Sequence, residues 1–245
     1  MTSSSFKDID TEGMETLIGL SSANEFNKWM FDTIRPYIQK RILEIGSGIG
    51  NISVFFLNDN ATISLSDIRT NYIEFLQKKF SENPTLVNIY QIDLVDKNFD
   101  QKFSHLFNSF DSIFALNVIE HIKEDNIAIE NCKKLLVKGG QLVVLVPAYR
   151  WLYNKFDEVL GHYRRYSMKT LNTLMAPHLT IVHSQYFNFA GIFGWLVSGS
   201  IFKRKTIPHS EIKIFNKLVP LLRIVDKLVL CRMGLSVILV GKKTS

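Results

Sequence analysis

The sequence predicts an α/β protein built on a largely parallel sheet. Short apolar runs rich in β-branched residues alternate with stretches of helical periodicity. The runs are found at 41–45, 61–65, 87–92, 112–116 and 141–146, and the helical stretches at 51–58, 71–81 and 123–136. Such alternation is typical of parallel strands joined by helices. With 245 residues, 46% of them hydrophobic, the chain is long enough for one globular domain with a real core.

Two further strands follow the first five. A polar and aromatic loop after residue 146 leads to a helix predicted at 167–176, a sixth strand at 179–186 and a last strand at 236–241. About 50 residues separate the last two strands, far more than an ordinary connection, so a helical insert is predicted at 186–234. Its uncharged first stretch, 186–202, is short and contains glycines and polar residues, which favours a helix over a membrane span. An amphipathic second helix, broken at Pro220, is predicted to follow.

The positive charge of the chain is local. Lys and Arg number 29 against 23 Asp and Glu, a net charge of +6, and the insert alone has eight bases and two acids. The rest of the chain is balanced, which argues against a general affinity for nucleic acid. Two cysteines are too few for a disulfide framework, and the first residues lack the pattern of a secretory signal. A cytoplasmic location, free or at the inner face of the membrane, is therefore predicted.

A glycine turn follows the first strand. Residues 42–51 read Ile-Leu-Glu-Ile-Gly-Ser-Gly-Ile-Gly-Asn, with glycines at 46, 48 and 50. Glycines let the backbone approach a ligand at the carboxyl end of the first strand, where open parallel sheets bind nucleotides. The spacing differs from the pyrophosphate-binding pattern, and Glu44 would repel a phosphate. These residues point to a ligand that carries cationic groups.

Acidic residues also end the second and third strands. Asp67 stands 17 residues after Gly50, where a carboxylate can accept hydrogen bonds from both ribose hydroxyls. Asp93 can accept from an adenine amino group, with Leu94 beside the ring. The fourth strand runs into Asn117-Val118-Ile119-Glu120-His121-Ile122. Each acid alone is more often a solvated strand end, but four elements in the same order favour one site.

These motifs resemble the class I S-adenosylmethionine-dependent methyltransferases over residues 37–147. The resemblance implies a Rossmann-like fold, S-adenosylmethionine as cofactor and no metal. The cofactor-binding residues that it implies are Glu44, Gly46, Ser47, Gly48, Gly50, Asn51, Asp67, Ile68, Asp93, Leu94 and Asn117. It also implies one domain over 1–245, with a helical lid at 1–36, a cofactor-binding core at 37–185, the insert at 186–234 and the last strand at 235–245. Asn27 and Trp29 would belong to the lid, although an ordinary packing helix fits the pattern equally well.

A second motif, residues 147–167, follows the fifth strand at the same edge of the sheet. His162 is a candidate base, since histidine changes charge near neutral pH, and Asp157 could orient it. The residues predicted to bind the acceptor are Tyr149, Tyr163, Arg164 and Arg165. The alternative is a structural loop whose tyrosines pack and whose arginines bind acids. The Gly-His-Tyr-Arg-Arg-Tyr-Ser block resembles a bacterial subgroup found alongside glycosyltransferases of lipid and polysaccharide pathways.

The predicted function is methyl transfer to an oxygen or nitrogen of a small or lipid-linked acceptor. The alternatives are a non-catalytic S-adenosylmethionine-binding sensor or scaffold and an RNA methyltransferase. A nicotinamide-dependent dehydrogenase is least favoured because of the glycine spacing. The insert at 186–234 has three possible roles: contact with an anionic membrane, a dimer interface and a lid. A monomer and a homodimer both fit the sequence.

Overall fold

The computed structural model describes residues 11–201 and 209–244, and these contain a seven-stranded sheet. The strands are β1 (Ile42–Ile45), β2 (Ile63–Asp67), β3 (Leu86–Gln91), β4 (Phe110–Leu116), β5 (Leu136–Pro147), β6 (Thr180–Phe187) and β7 (Ser236–Lys242). Their order is β3-β2-β1-β4-β5-β7-β6, and only β7 runs antiparallel to its neighbours. The predicted mostly parallel sheet is confirmed.

Ten α-helices surround the sheet within the described part of the chain. They are α1 (Thr11–Ser21), α2 (Asn24–Ile34), α3 (Ser53–Asn58), α4 (Thr70–Phe80), α5 (Phe99–Phe103), α6 (Asp125–Leu135), α7 (Lys155–Leu160), α8 (Met168–Met175), α9 (Gly191–Trp195) and α10 (His209–Leu228). The predicted lid at 1–36 falls on α1 and α2, apart from residues 1–10, which lie outside the described residues.

The core lies on both faces of the sheet because successive side chains of a strand point to opposite sides. In β5, Leu142, Val144 and Val146 belong to a buried cluster with α6 and α8. Val143 and Leu145 belong to a second cluster with α2, α3 and α10. Full burial of one such side chain contributes about 1.5–3 kcal/mol. The central strands therefore read as continuous apolar runs, which is why the sequence identifies them.

The connections change face between β3 and β4. Helices α3 and α4 pack on one side of the sheet, whereas α6 packs on the other. Strand order reverses at the same place, so β1 and β4 are neighbours whose following loops diverge. In open parallel sheets, such a switch point opens a crevice at the carboxyl ends of the strands.

The segment after β5 contains a helix that the sequence prediction treated as loop. Helix α7 begins at a capping box in which Asn154 and Asp157 bind each other's backbone N–H groups. It ends at Gly161, whose φ of +75° favours glycine. The next helix, α8, begins after Ser167, whose Oγ accepts from the backbone N–H of Thr170 and so caps the helix.

The described part of the insert is largely helical, as predicted, but Pro220 does not break its second helix. A π-helical turn, Leu196–Ile201, continues α9, and α10 runs through Pro220 without interruption. The packing of α10 against α2 explains this, because buried Val219 before the proline and half-buried Leu222 after it hold the inner face of the helix against the core. No helix in the described ranges is both long and apolar enough to cross a bilayer. The bases Lys203, Arg204 and Lys205 lie outside the described residues.

Candidate functional site

A cavity of about 520 Å³ opens at the switch point. Its floor is formed by the carboxyl ends of the strands and the loops that follow them, and its roof by α1, α2 and the insert. Residues from both ends of the chain thus enclose one space. The volume lies within the range of about 300–1,000 Å³ that is typical of small-molecule sites.

Glu44 and the glycine turn form one end of the cavity. Glu44 is buried, and the hydroxyl of Ser53 donates to its carboxylate. Burial raises the pKa of Glu44 to about 8, so the acid is poised to become charged when a cation arrives. Gly46 has a φ of +70°, and a Cβ there would collide with Val118. The turn therefore presents bare backbone to the cavity.

Asp67 lies at the end of β2 and joins two turns of the floor. Its Oδ2 accepts from the N–H of Gly48 and its Oδ1 from the N–H of Arg69, each at 3.0 Å. Burial raises the pKa of Asp67, and these hydrogen bonds act in the opposite direction. A buried, oriented carboxylate of this kind can receive hydroxyl donors from a ligand.

Most of the other predicted cofactor residues also line the cavity. These are Ser47, Gly48, Asn51, Ile68, Asp93, Leu94 and Asn117. Asn51 also ties the roof to the floor, since its Nδ2 donates to the carbonyl of Leu17 in α1 at 2.9 Å. Gly50 does not line the cavity. Its φ is +76°, and a Cβ there would meet the ring of Phe80, so it serves the packing of the turn against α4.

A buried charge cluster forms the opposite wall. Nδ1 of His162 lies 2.7 Å from Oδ1 of Asp157, and Nε of Arg165 donates to the same oxygen at 2.8 Å. Burial raises the pKa of Asp157, but the hydrogen bond from His162 and the charge of Arg165 outweigh it and hold that pKa below its usual value. His162 and Arg165 line the cavity, whereas Asp157 stands behind them.

Arg165 connects this wall with the insert. Its guanidinium lies 4.6 Å from the ring centroid of Trp195 and donates to the carbonyl of Ala148 at 3.0 Å. Trp195 in turn donates its indole N–H to the carbonyl of Leu152. The arginine predicted to bind acceptor therefore also braces the wall.

The other predicted acceptor residues lie outside the cavity lining. Arg164 donates to Asp125 and to the carbonyl of Lys123, and Tyr149 stacks on Tyr186. The ring of Tyr163 is exposed, while its backbone N–H donates to the carbonyl of Glu120 at 2.8 Å. The contacts of Tyr149, Tyr163 and Arg164 are those of a structural loop, because their partners fix this loop to neighbouring segments.

Glu120 and His121 join the charge cluster, which the sequence did not predict. Burial raises the pKa of Glu120 to about 7, and neither of its carboxylate oxygens has a hydrogen-bond partner among the described residues. Burial, reinforced by the neighbouring His162, lowers the pKa of His121 to about 3. Oε1 of Glu120 lies 4.0 Å from Nε2 of His162. With His162, the two residues could hold a metal ion.

Much of the remaining lining comes from the roof. Asn27 lines the cavity and donates to the carbonyl of Leu20, whereas Trp29 packs in the core against Phe187. The insert contributes Gly191, Gly194, Trp195, Ser198, Glu211, Ile212 and Phe215. The sequence pattern does not identify these residues as cavity lining, because the inner and outer faces of α10 are both apolar.

Comparison with known proteins matches this geometry. Residues 43–142 match a family model described as a methyltransferase domain. A solved S-adenosylmethionine-dependent methyltransferase from Archaeoglobus fulgidus is 15% identical, with a TM-score of 0.56 over 89% of this chain and 94% of that one. The chain has a methyltransferase fold. The cyclase SpnF shares this methyltransferase fold, with 17% identity and a TM-score of 0.59 over 87% of this chain and 79% of that one.

Curated relatives match a shorter part of the chain. Probable polyketide synthase 31 of Dictyostelium discoideum is 28% identical over 160 residues, which is 56% of this chain and 6% of the relative. Probable polyketide synthase 27 of the same organism is 24% identical over 159 residues, again 56% of this chain and 6% of the relative. The chain therefore spans a small fraction of the length of these relatives.

The burial of Glu44 makes stability depend on pH. Between pH 4.5 and about 8 the folded chain keeps a proton that the unfolded chain releases, so the free energy of unfolding falls as pH rises through this window. Glu44→Gln should remove this part of the dependence, at most about 1.4 kcal/mol per pH unit. Urea unfolding of both proteins between pH 5 and 8 measures it, with the exposed Glu82→Gln as control. Parallel curves for wild type and Glu44→Gln would contradict the assignment.

Proposed function

We propose that this chain binds S-adenosylmethionine and transfers its methyl group to an oxygen or nitrogen of a small or lipid-linked acceptor. The observation that carries the proposal is a row of acidic side chains at the ends of adjacent strands. Glu44 lies near the end of β1, Asp67 ends β2 and Asp93 follows β3, and all three line the same cavity. The matched methyltransferase domain over 43–142 contains all three.

The hydrogen-bond acceptors of the cavity fit this cofactor. S-adenosylmethionine carries an ammonium, a sulfonium, two ribose hydroxyls and an adenine amino group, all of which are cationic or donate hydrogen bonds. Glu44 and the bare backbone at Gly46 suit the methionine end, and Asp67 suits the ribose. Asp93 and Leu94 suit the adenine, and Asn117 would lie beneath the methionine moiety.

The chain's own contribution to the reaction is positioning and proton removal. When bound, S-adenosylmethionine supplies an electrophilic methyl group. His162 faces the cavity, and Asp157 fixes its ring through Nδ1, so that Nε2 is left to accept a proton from the acceptor. The positive charge that His162 gains is stabilised by Asp157 and by buried Glu120 nearby. Asp157 is thus a positioning residue and His162 the proposed base.

The acceptor end of the cavity is largely apolar and aromatic. Phe156, Phe187, Trp195, Ile212 and Phe215 line it. A hydrophobic or lipid-linked acceptor matches such a wall, with the reacting hydroxyl or amine directed toward His162. A sensor or scaffold that only binds the cofactor does not need a second wall large enough for an acceptor.

Removal of Asp67 should weaken cofactor binding. Asp67→Ala is expected to lose at least about tenfold in affinity for S-adenosylmethionine, because ribose hydroxyls would lose a buried charged acceptor. Calorimetric titration of wild type and variant with S-adenosylmethionine and S-adenosylhomocysteine measures this. Asp100→Ala removes an exposed carboxylate paired with Lys134 and should bind like wild type. Equal affinity for Asp67→Ala, or no binding by wild type, would overturn the proposal.

Replacement of His162 should separate chemistry from binding. His162→Ala should lower methyl-transfer turnover by about 10²-fold while leaving S-adenosylmethionine affinity nearly unchanged. The measurement is methyl uptake by lipid, sugar, aromatic and RNA acceptors, with His178→Ala, which alters a half-buried histidine outside the cavity lining, as control. Undiminished turnover would remove His162 from the mechanism. Cofactor binding without methyl uptake by any acceptor class would favour the sensor.

We propose further that the insert contacts an anionic membrane. The outer face of α10 exposes a row of apolar side chains at helical spacing: Ile214, Leu218, Leu221, Ile224 and Leu228, with 61% of Ile214 and 76% of Leu228 exposed. Lys213, Lys217 and Lys227 flank this row and are also exposed. An exposed apolar stripe beside a row of lysines suits a surface that is apolar and negatively charged.

The acids of the described insert are turned inward. Asp226 is buried and accepts from the N–H groups of Asn188 and Phe189, and Glu211 lines the cavity and accepts from Ser198. The outer surface of α10 is therefore positive. Since the inner face of the same helix lines the acceptor end of the cavity, membrane contact would bring a lipid-linked acceptor close to it. A cytoplasmic location stays a prediction.

Vesicle binding tests this surface. Wild type should sediment with vesicles containing phosphatidylglycerol at low salt, less so as salt rises, and should leave pure phosphatidylcholine vesicles unbound. Leu221→Glu should abolish binding, whereas Ile127→Glu, which alters an exposed apolar residue of α6 on the other side of the sheet, should not. Failure to bind at low salt would contradict membrane contact. A Leu221-dependent dimer in solution would assign the face to a second copy instead.

A further inference from the structure

The cluster of Glu120, His121 and His162 forms a second possible binding site beside the cavity. One donor atom from each residue lies within 4.8 Å of the others. The residues come from two segments about 40 positions apart in the chain. The hydrogen bond from the N–H of Tyr163 to the carbonyl of Glu120 joins these segments and holds the three side chains together.

His162 uses one ring nitrogen for orientation. Nδ1 of His162 lies 2.7 Å from Asp157, whose carboxylate can only accept, so Nδ1 carries the proton and Nε2 a lone pair. Histidines that ligate metals are held in this way, by a carboxylate or a carbonyl on the second nitrogen. The ring of His121 packs edge-on against that of His162, with the centroids 4.6 Å apart, and one of its nitrogens belongs to the cluster.

Glu120 supplies the third acceptor. Its side chain is fully buried, and neither carboxylate oxygen has a hydrogen-bond partner among the described residues. Its Oε1 lies 4.0 Å from Nε2 of His162, too far for a hydrogen bond. A buried acceptor without a partner is costly, and here it faces the lone pairs of two imidazoles. A cation bound between these three acceptor groups would stabilise them.

We propose that Glu120, His121 and His162 bind a divalent transition-metal ion of the zinc type. Two imidazoles and one carboxylate suit such an ion, whereas magnesium and calcium prefer oxygen ligands alone. Ligand bonds of about 2.1 Å place donors about 3.4 Å apart in a tetrahedral site, which small side-chain rotations reach from the present distances. Three protein ligands leave a position open.

The proposed ion and the proposed methyl transfer share His162. Its Nε2 has one lone pair, so it can hold either an ion or the proton of an acceptor. Ion binding therefore withdraws His162 from its role as a base. His121 and His162 also line the cavity, and the open position of the ion lies beside the space for an acceptor. The inference rests on the proposed function for this consequence only, since the site itself needs neither cofactor nor acceptor.

Metal titration of tag-free, chelator-treated full chain tests the site. Zn²⁺ is followed by calorimetry and Co²⁺ by its visible absorption. Wild type should bind one ion per chain, and Glu120→Gln and His121→Gln should each bind at least about tenfold more weakly. His178→Gln, which alters a half-buried histidine bound to Asn126, should bind like wild type. Circular dichroism establishes that each variant is folded.

X-ray absorption of the zinc-loaded wild type provides a readout that needs no variant. It should show two imidazole nitrogens and at least one oxygen around the ion. Lack of stoichiometric binding, undiminished binding by folded Glu120→Gln and His121→Gln, or an ion without imidazole ligands would overturn the proposal. Because none of these measurements uses methyl transfer, their failure is distinguishable from failure of the proposed function.

Discussion

The reversal of strand order between β1 and β4 is the constraint on which the site depends. Neighbouring parallel strands whose connections leave toward opposite faces cannot close the edge between them, so a crevice forms at their carboxyl ends. Side chains that end strands necessarily face this crevice, and the chain places Glu44, Asp67 and Asp93 there. Burial raises the pKa of Glu44 to about 8. A cationic ligand beside this carboxylate would favour its charged form, so ligand binding and loss of the proton of Glu44 would be coupled.

Asp157 plays a comparable part on the opposite wall. It closes the capping box of α7, orients His162 and neutralises Arg165, all from a fully buried position. A state in which only some of these contacts are made would be unfavourable, because it leaves a charge without a partner in the interior. The segment after β5 therefore adopts one arrangement. That arrangement fixes the ring that faces the cavity.

The sequence predicts the sheet well because its buried strands are apolar on both faces, and it predicts the acids of the floor because they stand at strand ends. Local patterns fail where the deciding contact is distant. Gly50 reads as part of a ligand-binding turn, yet its partner is Phe80 in α4. Arg164 reads as an anion receptor, yet it binds Asp125, 39 residues away. Glu120 and His121 acquire meaning only when the N–H of Tyr163 brings His162 beside them, and no spacing rule covers a pair of segments so far apart.

The division of labour within the cavity follows from which part of the chain builds each wall. The sheet and its loops provide the acids, whereas the insert provides the aromatic and aliphatic surface opposite them. Arg165 couples the two, since its guanidinium binds Asp157 on one side and lies against Trp195 on the other. In the described part of the insert, Asp226 and Glu211 point inward whereas Lys213, Lys217 and Lys227 are exposed, so its excess positive charge lies on the outer surface. Changes in the insert can therefore alter the shape of the acceptor end while the strand-end acids stay in place. In the proposed function, selectivity for an acceptor would reside in α9 and α10, and the charge that receives the cofactor would reside in the sheet.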